Sequence, residues 1–167
     1  DREILVLEIG AGGVARQHHE GSLHVSARVE RDGIDAEEIE HVYGLYEGTL
    51  SSVDEAAGRI LDELDRLGLT DNTIIVIMGD HGENMADAPG RYYGHGNHLF
   101  GDHDLHVPLV IVDPRHPTPR VESGVVTNSD FSPTLYSLLG VSPPGDLDGI
   151  SLVPALEGHS VLPRPTF

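Results

Sequence analysis

The sequence predicts an α/β protein. Three observations carry that expectation. Short apolar runs stand at Glu3–Ile9, Ile74–Met78 and Val107–Val112. One long amphipathic stripe separates the first two. A shorter helical pattern follows the third. Strand, helix, strand, loop, strand, helix is the alternation of an α/β sheet rather than of a helical bundle or a sandwich.

Glu3–Ile9 is an apolar run that ends at Gly10, and it reads as a buried strand. Residues 10 to 33 are rich in Gly and His, have no helical period and read as loop. Asp35 followed by Glu38 has the spacing of a capping box. From there Ile39, Val42, Tyr43, Tyr46, Leu50, Val53, Ala57, Ile60, Leu61, Leu64 and Leu67 recur at spacings of three and four, the signature of one apolar helix face. Gly68 is the expected stop. Gly44 and Gly48 each cost about 1 kcal/mol relative to Ala in a helix, so a kink or break is expected near them.

Ile74–Met78 is β-branched and apolar throughout, as expected of a fully buried, parallel-type strand. It runs directly into Gly79-Asp80-His81-Gly82-Glu83. A polar loop is expected over residues 84 to 106, then a strand over Val107–Val112, with Pro108 near its start because proline cannot donate to a central ladder. Ser132-Pro133 reads as N-cap and N1 of a helix ending at Gly140. Leu147–Gly158 has room for one helical turn.

Composition narrows the function. The 10 basic residues, all Arg, against 28 acidic ones give 10 − 28 = −18. That charge disfavours nucleic acid and anionic membranes as partners. It also fits adaptation to high salt, where ions screen self-repulsion. No run approaches the length of apolar sequence a transmembrane helix needs, and no signal peptide is visible, so a soluble globular chain is expected. Compartment is left open. The sequence has no Cys, which excludes thiolate metal sites and a Cys nucleophile within these residues.

Asp80-His81 is the strongest chemical signal. A carboxylate and an imidazole stand side by side at the carboxyl end of a buried strand, where ligands sit in open α/β sheets. Glycines on both sides let the backbone turn sharply. Asp with His suits Zn, Mn or Fe; Asp with further oxygens suits Ca or Mg. The competing reading is a polar turn that only caps a strand. Gly10-Ala-Gly-Gly-Val-Ala15 matches a dinucleotide fingerprint, but Arg16–Gly21 breaks the helix that should follow, and the match is set aside. His18-His19 would make a metal pair, but adjacent residues rarely face one ion, and a solvated loop is the favoured reading; His98, His103 and His106 read as surface or packing histidines. Glu83 is placed to help the site, but it has an ordinary explanation as a loop or helix-start carboxylate.

Four stretches resemble the sulfatase family, in the family's order. They are Asp54–Leu64 continuing into Gly68–Glu83; Gly94-His-Gly-Asn-His-Leu-Phe100 followed by Leu105–Ile111; Ser129–Val141; and Asp148–Gly158. Together they cover roughly residues 43 to 158. The resemblance implies an alkaline-phosphatase-like three-layer α/β sandwich with a mainly parallel sheet. It implies a partial catalytic domain over residues 1–167, with 35–158 matching the family, 1–34 unassigned and 159–167 a tail. It implies hydrolysis of a small-molecule or saccharide sulfate ester, with phosphodiesterase, phosphonate hydrolase or phosphoglycerol transferase chemistry as the alternative. From another class, a non-catalytic metal-binding module is the alternative.

By the same resemblance, Asp80 and His81 bind the active-site divalent metal, Ca first, with Mn, Zn or Mg as alternatives. His95 lies near the transferred group or leaving group. The family's nucleophile, a Cys converted to formylglycine or a Ser or Thr, sits in an N-terminal segment that residues 1–34 do not resemble. A fragment inactive by itself is therefore expected. This chain has Ala86-Asp87-Ala88 where the family often places a His, and its stretch from His95 to Pro108 is slightly longer than the family pattern.

Overall fold

The computed structural model describes residues 3–8, 35–85, 93–95 and 102–163. Readings that fall on residues 10–34, on His98 or on residues 86–88 lie outside the described residues. The elements are β1 (Glu3–Glu8), α1 (Ala36–Arg66), β2 (Thr73–Met78), β3 (Asn84–Met85), β4 (Tyr93–Gly94), α2 (Asp102–Leu105), β5 (Leu109–Val112), α3 (Phe131–Leu139) and α4 (Val153–Leu156). β1, β2 and β5 form one sheet in the order β1-β2-β5, and β3 pairs with β4 antiparallel, Asn84 opposite Gly94 and Met85 opposite Tyr93. The architecture is mixed α/β.

The described chain divides into two compact units, one built from residues 4–71 and 75–111, the other from residues 1–3, 72–74 and 112–167.

In the first unit, α1 begins as its sequence requires. The Asp35 carboxylate accepts from Glu38 N at 2.9 Å, and the Glu38 carboxylate accepts from Asp35 N at 3.2 Å. Two otherwise orphaned donors are thereby satisfied, a contribution of about 1 kcal/mol. The helix ends at Leu67, and Gly68 takes the left-handed conformation with φ 68°. The expected break at Gly44 and Gly48 is absent, because α1 is continuous over 31 residues. Ser52 Oγ donates to the Gly48 carbonyl at 3.0 Å and Thr49 Oγ1 to Leu45 O at 3.1 Å, so carbonyls in the glycine-containing turns keep side-chain partners as well. The apolar stripe is only half-covered. No residue of α1 is fully buried, and Leu50, Ile60 and Leu67 are 42, 39 and 53% exposed.

β2 is the buried centre of the sheet. Thr73, Ile74, Ile75 and Val76 are all buried, but Ile77 and Met78 are only half-buried, so the strand is not covered along its whole length as expected. β5 starts two residues later than the sequence suggests. Pro108 has no N–H to give the ladder, while its carbonyl accepts from Gly79 N at 3.0 Å. That bond joins the residue after β2 to the residue before β5. The chain therefore leaves β2 and enters β5 at the same end of the sheet, and the intervening loop has no need to cross to a parallel neighbour. The loop expected over 84–106 contains β3, β4 and α2, elements of two to four residues that leave no periodicity in a sequence.

In the second unit, α3 begins at Phe131 with Asp130 as N-cap, not at Ser132-Pro133. A distant contact decides the helix entry. Asp130 is fully buried; its carboxylate accepts from Thr127 N at 2.8 Å and from Ile150 N at 2.9 Å. Thr134 Oγ1 donates to Asp130 O at 2.6 Å and accepts from Leu152 N at 2.9 Å. These bonds tie the segment before α4 to the start of α3, and Leu138 and Leu152 are both buried. The helix ends at Gly140 (φ 67°), as expected.

Asp113 gives this unit an acid dependence. Burial pushes its carboxyl up, but hydrogen bonds from Arg115, that residue's charge and His116 outweigh burial and hold it below the usual range. Arg115 Nε donates to both Asp113 oxygens at 2.8 and 2.9 Å and Nη1 to Leu138 O at 3.3 Å. A group whose folded value is lowered contributes fully above its unfolded value, about 3.9, and loses that contribution as pH falls through the folded value. Asp113→Asn is expected to lower the urea midpoint at neutral pH and to flatten its fall below about pH 4. An acid limb as steep as that of the parent chain would remove Asp113 from this role.

Candidate functional site

The site lies in the first unit, on the turn that follows β2. Gly79 is buried against Val107 and Pro108, and a Cβ there would lie 3.1 Å from Val107 Cβ. The next four residues then change direction within a short span. Asp80 Oδ1 accepts from His81 N at 2.9 Å. His81 Nδ1 donates to the Gly82 carbonyl at 2.8 Å. Gly82 N donates to Asp104 O at 2.9 Å, which pins the turn to α2. Glu83 then points back: its Oε2 lies 2.9 Å from His95 Nδ1.

These bonds bring Asp80, His81 and Glu83 of one short turn together with His95, 12 residues beyond Glu83. Asp80 Oδ2 lies 3.6 Å from His81 Nε2, with the two side chains 40 and 38% exposed. The imidazoles of His81 and His95 stack with centroids 4.0 Å apart and planes 29° from parallel. Beside them is a cavity of about 420 Å³. Tyr46, Leu50 and Val53 of α1 line its apolar side, and His81, His103 and His106 line its polar side.

The donor set fits a divalent ion with one carboxylate and one imidazole ligand. Two atoms each about 2.1 Å from an ion are about 3.4 Å apart at the tetrahedral angle. The 3.6 Å between Asp80 Oδ2 and His81 Nε2 is close to that separation. The Gly82 carbonyl can only accept, so His81 Nδ1 carries a proton; in the neutral ring that leaves the lone pair on Nε2, the form a metal requires. The described residues supply two donors and stop there: no group of three or more His, Asp or Glu side chains among them converges on one point. Behind the turn, the side-chain polar atoms of Asn84 and Asp104 are buried and have no hydrogen-bond partner among the described residues.

Sequence reasoning singled out Asp80, His81 and His95, and the structure places all three together. It discounted Glu83 and missed its link to His95, which it holds across a separation of 12 residues. No spacing rule reaches across that separation. His103 and His106, read as surface or packing histidines, border the cavity.

The fold and the turn after β2 define an α/β protein with a carboxylate–imidazole pair at a strand end. The sulfatase family model matches residues 15–141, and the chain belongs to the sulfatase family, a family of hydrolase-type enzymes. The match begins upstream of the motifs that carry the resemblance. The chain is 32% identical over 144 residues to the multifunctional alkaline phosphatase superfamily protein PehA of Trinickia caryophylli, covering 81% of this chain and 26% of that protein. It is 34% identical over 119 residues to the N-acetylglucosamine-6-O-sulfatase of Bacteroides thetaiotaomicron, covering 71% of this chain and 21% of that protein. Among solved structures, the phosphonate monoester hydrolase of Agrobacterium radiobacter superposes with a TM-score of 0.64 at 36% identity, covering 78% of this chain and 25% of that one. The fold is thus the alkaline-phosphatase-like α/β fold, in part: the chain spans about a quarter of the length of these relatives. No helix among the described residues is long and apolar enough to cross a membrane.

Proposed function

We propose that this chain carries the C-terminal half-site of a metal-dependent sulfuric ester hydrolase, with Asp80 and His81 as metal ligands and His95 at the transferred group. The separation of Asp80 Oδ2 and His81 Nε2, 3.6 Å, carries the reading. A divalent ion held there, Ca first and Mn, Zn or Mg as alternatives, would supply charge stabilisation for the non-bridging oxygens of a sulfuryl or phosphoryl group. The chain's own residues do the rest of what is assigned here. Asp80 and His81 present two donors at the mouth of the turn. Gly82 and Asp104 hold the turn in place. His95, stacked on His81, is assigned a hydrogen bond to the ester oxygen or a proton for the leaving group, a role its nearness to His81 supports. The substrate class proposed is a small-molecule or saccharide sulfate ester, supported by the likeness to an N-acetylglucosamine-6-O-sulfatase. Nucleic acid and membrane surfaces are not proposed as partners, given the charge of −18.

The likeness to a phosphonate monoester hydrolase at 36% identity supports a second reading, with a phosphodiester or phosphonate in place of the sulfate ester. Phosphoglycerol transfer belongs to the same reading, and a non-catalytic metal-binding module is the alternative outside enzymes. The nucleophile lies in neither assignment, so the 167-residue chain alone is expected to turn over neither aryl sulfates nor aryl phosphates with any divalent metal. Metal-dependent turnover that Asp80→Ala abolishes would show a complete site and overturn the half-site reading. Metal binding without turnover, by this chain and also by a longer chain that includes the segment upstream, would favour the non-catalytic module.

The acidic surface is proposed to be an adaptation to salt. Self-repulsion at a net charge of −18 is unscreened in dilute buffer. The melting temperature is expected to rise from dilute buffer to molar NaCl by more than it rises in an uncharged osmolyte of equal osmolarity, which acts through exclusion alone. No change with NaCl would remove the salt reading.

A further inference from the structure

We infer that Glu83 is a positioning residue that fixes His95 in a single tautomer, with the proton on Nδ1 and the lone pair on Nε2. The inference rests on the proposed site only for its use; the geometry stands by itself. Glu83 Oε2 is 2.9 Å from His95 Nδ1, and the carboxylate is the more buried partner, its side chain 16% exposed against 48% for His95. A carboxylate accepts and does not donate, so Nδ1 must carry the proton. The burial of Glu83 leaves its head group little freedom to leave the ring.

His81 is fixed in the same sense by a different acceptor, the carbonyl of Gly82 at 2.8 Å. Two imidazoles stacked at 4.0 Å therefore share one tautomer, each with Nε2 as its open nitrogen. One ring is set by backbone and the other by a side chain that mutation can remove. This is the arrangement by which an acceptor behind a histidine orients the nitrogen in front of it. It also constrains chemistry. Held this way, a neutral His95 offers an acceptor at Nε2, so it can donate to an ester oxygen only when the ring carries both protons. Glu83 is then the residue that keeps the second nitrogen aimed in either state.

The test is the ring nitrogens themselves, read by long-range proton–nitrogen correlation NMR on the labelled 167-residue chain, at a pH about two units above the usual histidine value. His81 and His95 are both expected as the Nδ1–H form. Glu83→Leu is expected to return His95 to the mixture of an unconstrained imidazole and to leave His81 unchanged. Glu83→Gln keeps a carbonyl acceptor and is expected to retain the single tautomer. A wild-type His95 in the Nε2–H form or a mixture overturns the inference, whether or not the leucine variant folds. So does a folded Glu83→Leu chain whose His95 is unchanged. Manganese titration of the same samples separates this inference from the site reading. A chain with the Nδ1–H tautomer that binds no metal sinks the metal reading and keeps the role of Glu83. A chain that binds metal with His95 in the Nε2–H form does the reverse.

Discussion

Replacing Asp80 with alanine is expected to lower the affinity of this chain for manganese or calcium by more than about 100-fold, beyond what loss of an outer partner of a metal site costs. Asp80 supplies one of the two donors the turn offers, and His81 Nε2, 3.6 Å away, is the other. A lone imidazole on an exposed turn does not hold a hard cation, so the expected residual is the weak binding of any acidic surface. That background is considerable for a chain with 28 acidic residues. The titration belongs in about 0.15 M salt or more, where the Debye length is about 8 Å and diffuse attraction is screened. Asp62→Ala, on an exposed position of α1, is the matched control and is expected to change nothing. Equal affinities for the Asp80 and Asp62 variants would mean that the binding is diffuse and that the pair only caps β2. His81→Ala is expected to weaken zinc and manganese more than calcium, because imidazole suits the former and oxygen the latter.

What could be read from the sequence follows the range of the forces involved. The α1 cap was legible because its two hydrogen bonds join residues three apart. The core of β2 was legible because four consecutive residues are buried on both faces and all must be apolar or satisfied. The position of Asp80-His81 just past the end of β2 was legible because a strand end and two glycines mark the place. The start of α3 was misread because Asp130 is held by Ile150, 20 residues away. The extent of burial along α1 was not legible either. Periodicity shows which face is apolar, not how much of it other residues cover, and Leu50 and Leu67 keep 42 and 53% of their surface. Glu83 and His95 meet only because the chain leaves β2 and enters β5 at one end of the sheet, a property of the topology that no single segment encodes.

Gly82→Ala is expected to be the most damaging small substitution in this unit. A Cβ on Gly82 would lie 1.9 Å from the His103 carbonyl oxygen and 2.8 Å from its carbon. Both atoms are backbone, so no side chain can rotate away, and the 2.9 Å bond from Gly82 N to Asp104 O must break or bend to make room. Overpacking of this kind costs about 3 kcal/mol, at the top of the usual range. For a chain of this size that is a fall of roughly 6–12 °C in melting temperature. Gly58→Ala gives the contrast. It lies within α1 with nothing within 4 Å of a Cβ, so alanine there is expected to stabilise by about 0.5–1 kcal/mol. The effect of Gly82→Ala should reach the chemistry as well. The Gly82–Asp104 bond holds the turn that carries Asp80 and His81, and the Gly82 carbonyl fixes His81. Displacing His103 from Gly82 moves both, and manganese affinity should fall with stability. A variant that melts within about a degree of the parent chain, against the drop expected from overpacking, would place His103 elsewhere and remove the anchor on which the geometry of the site depends.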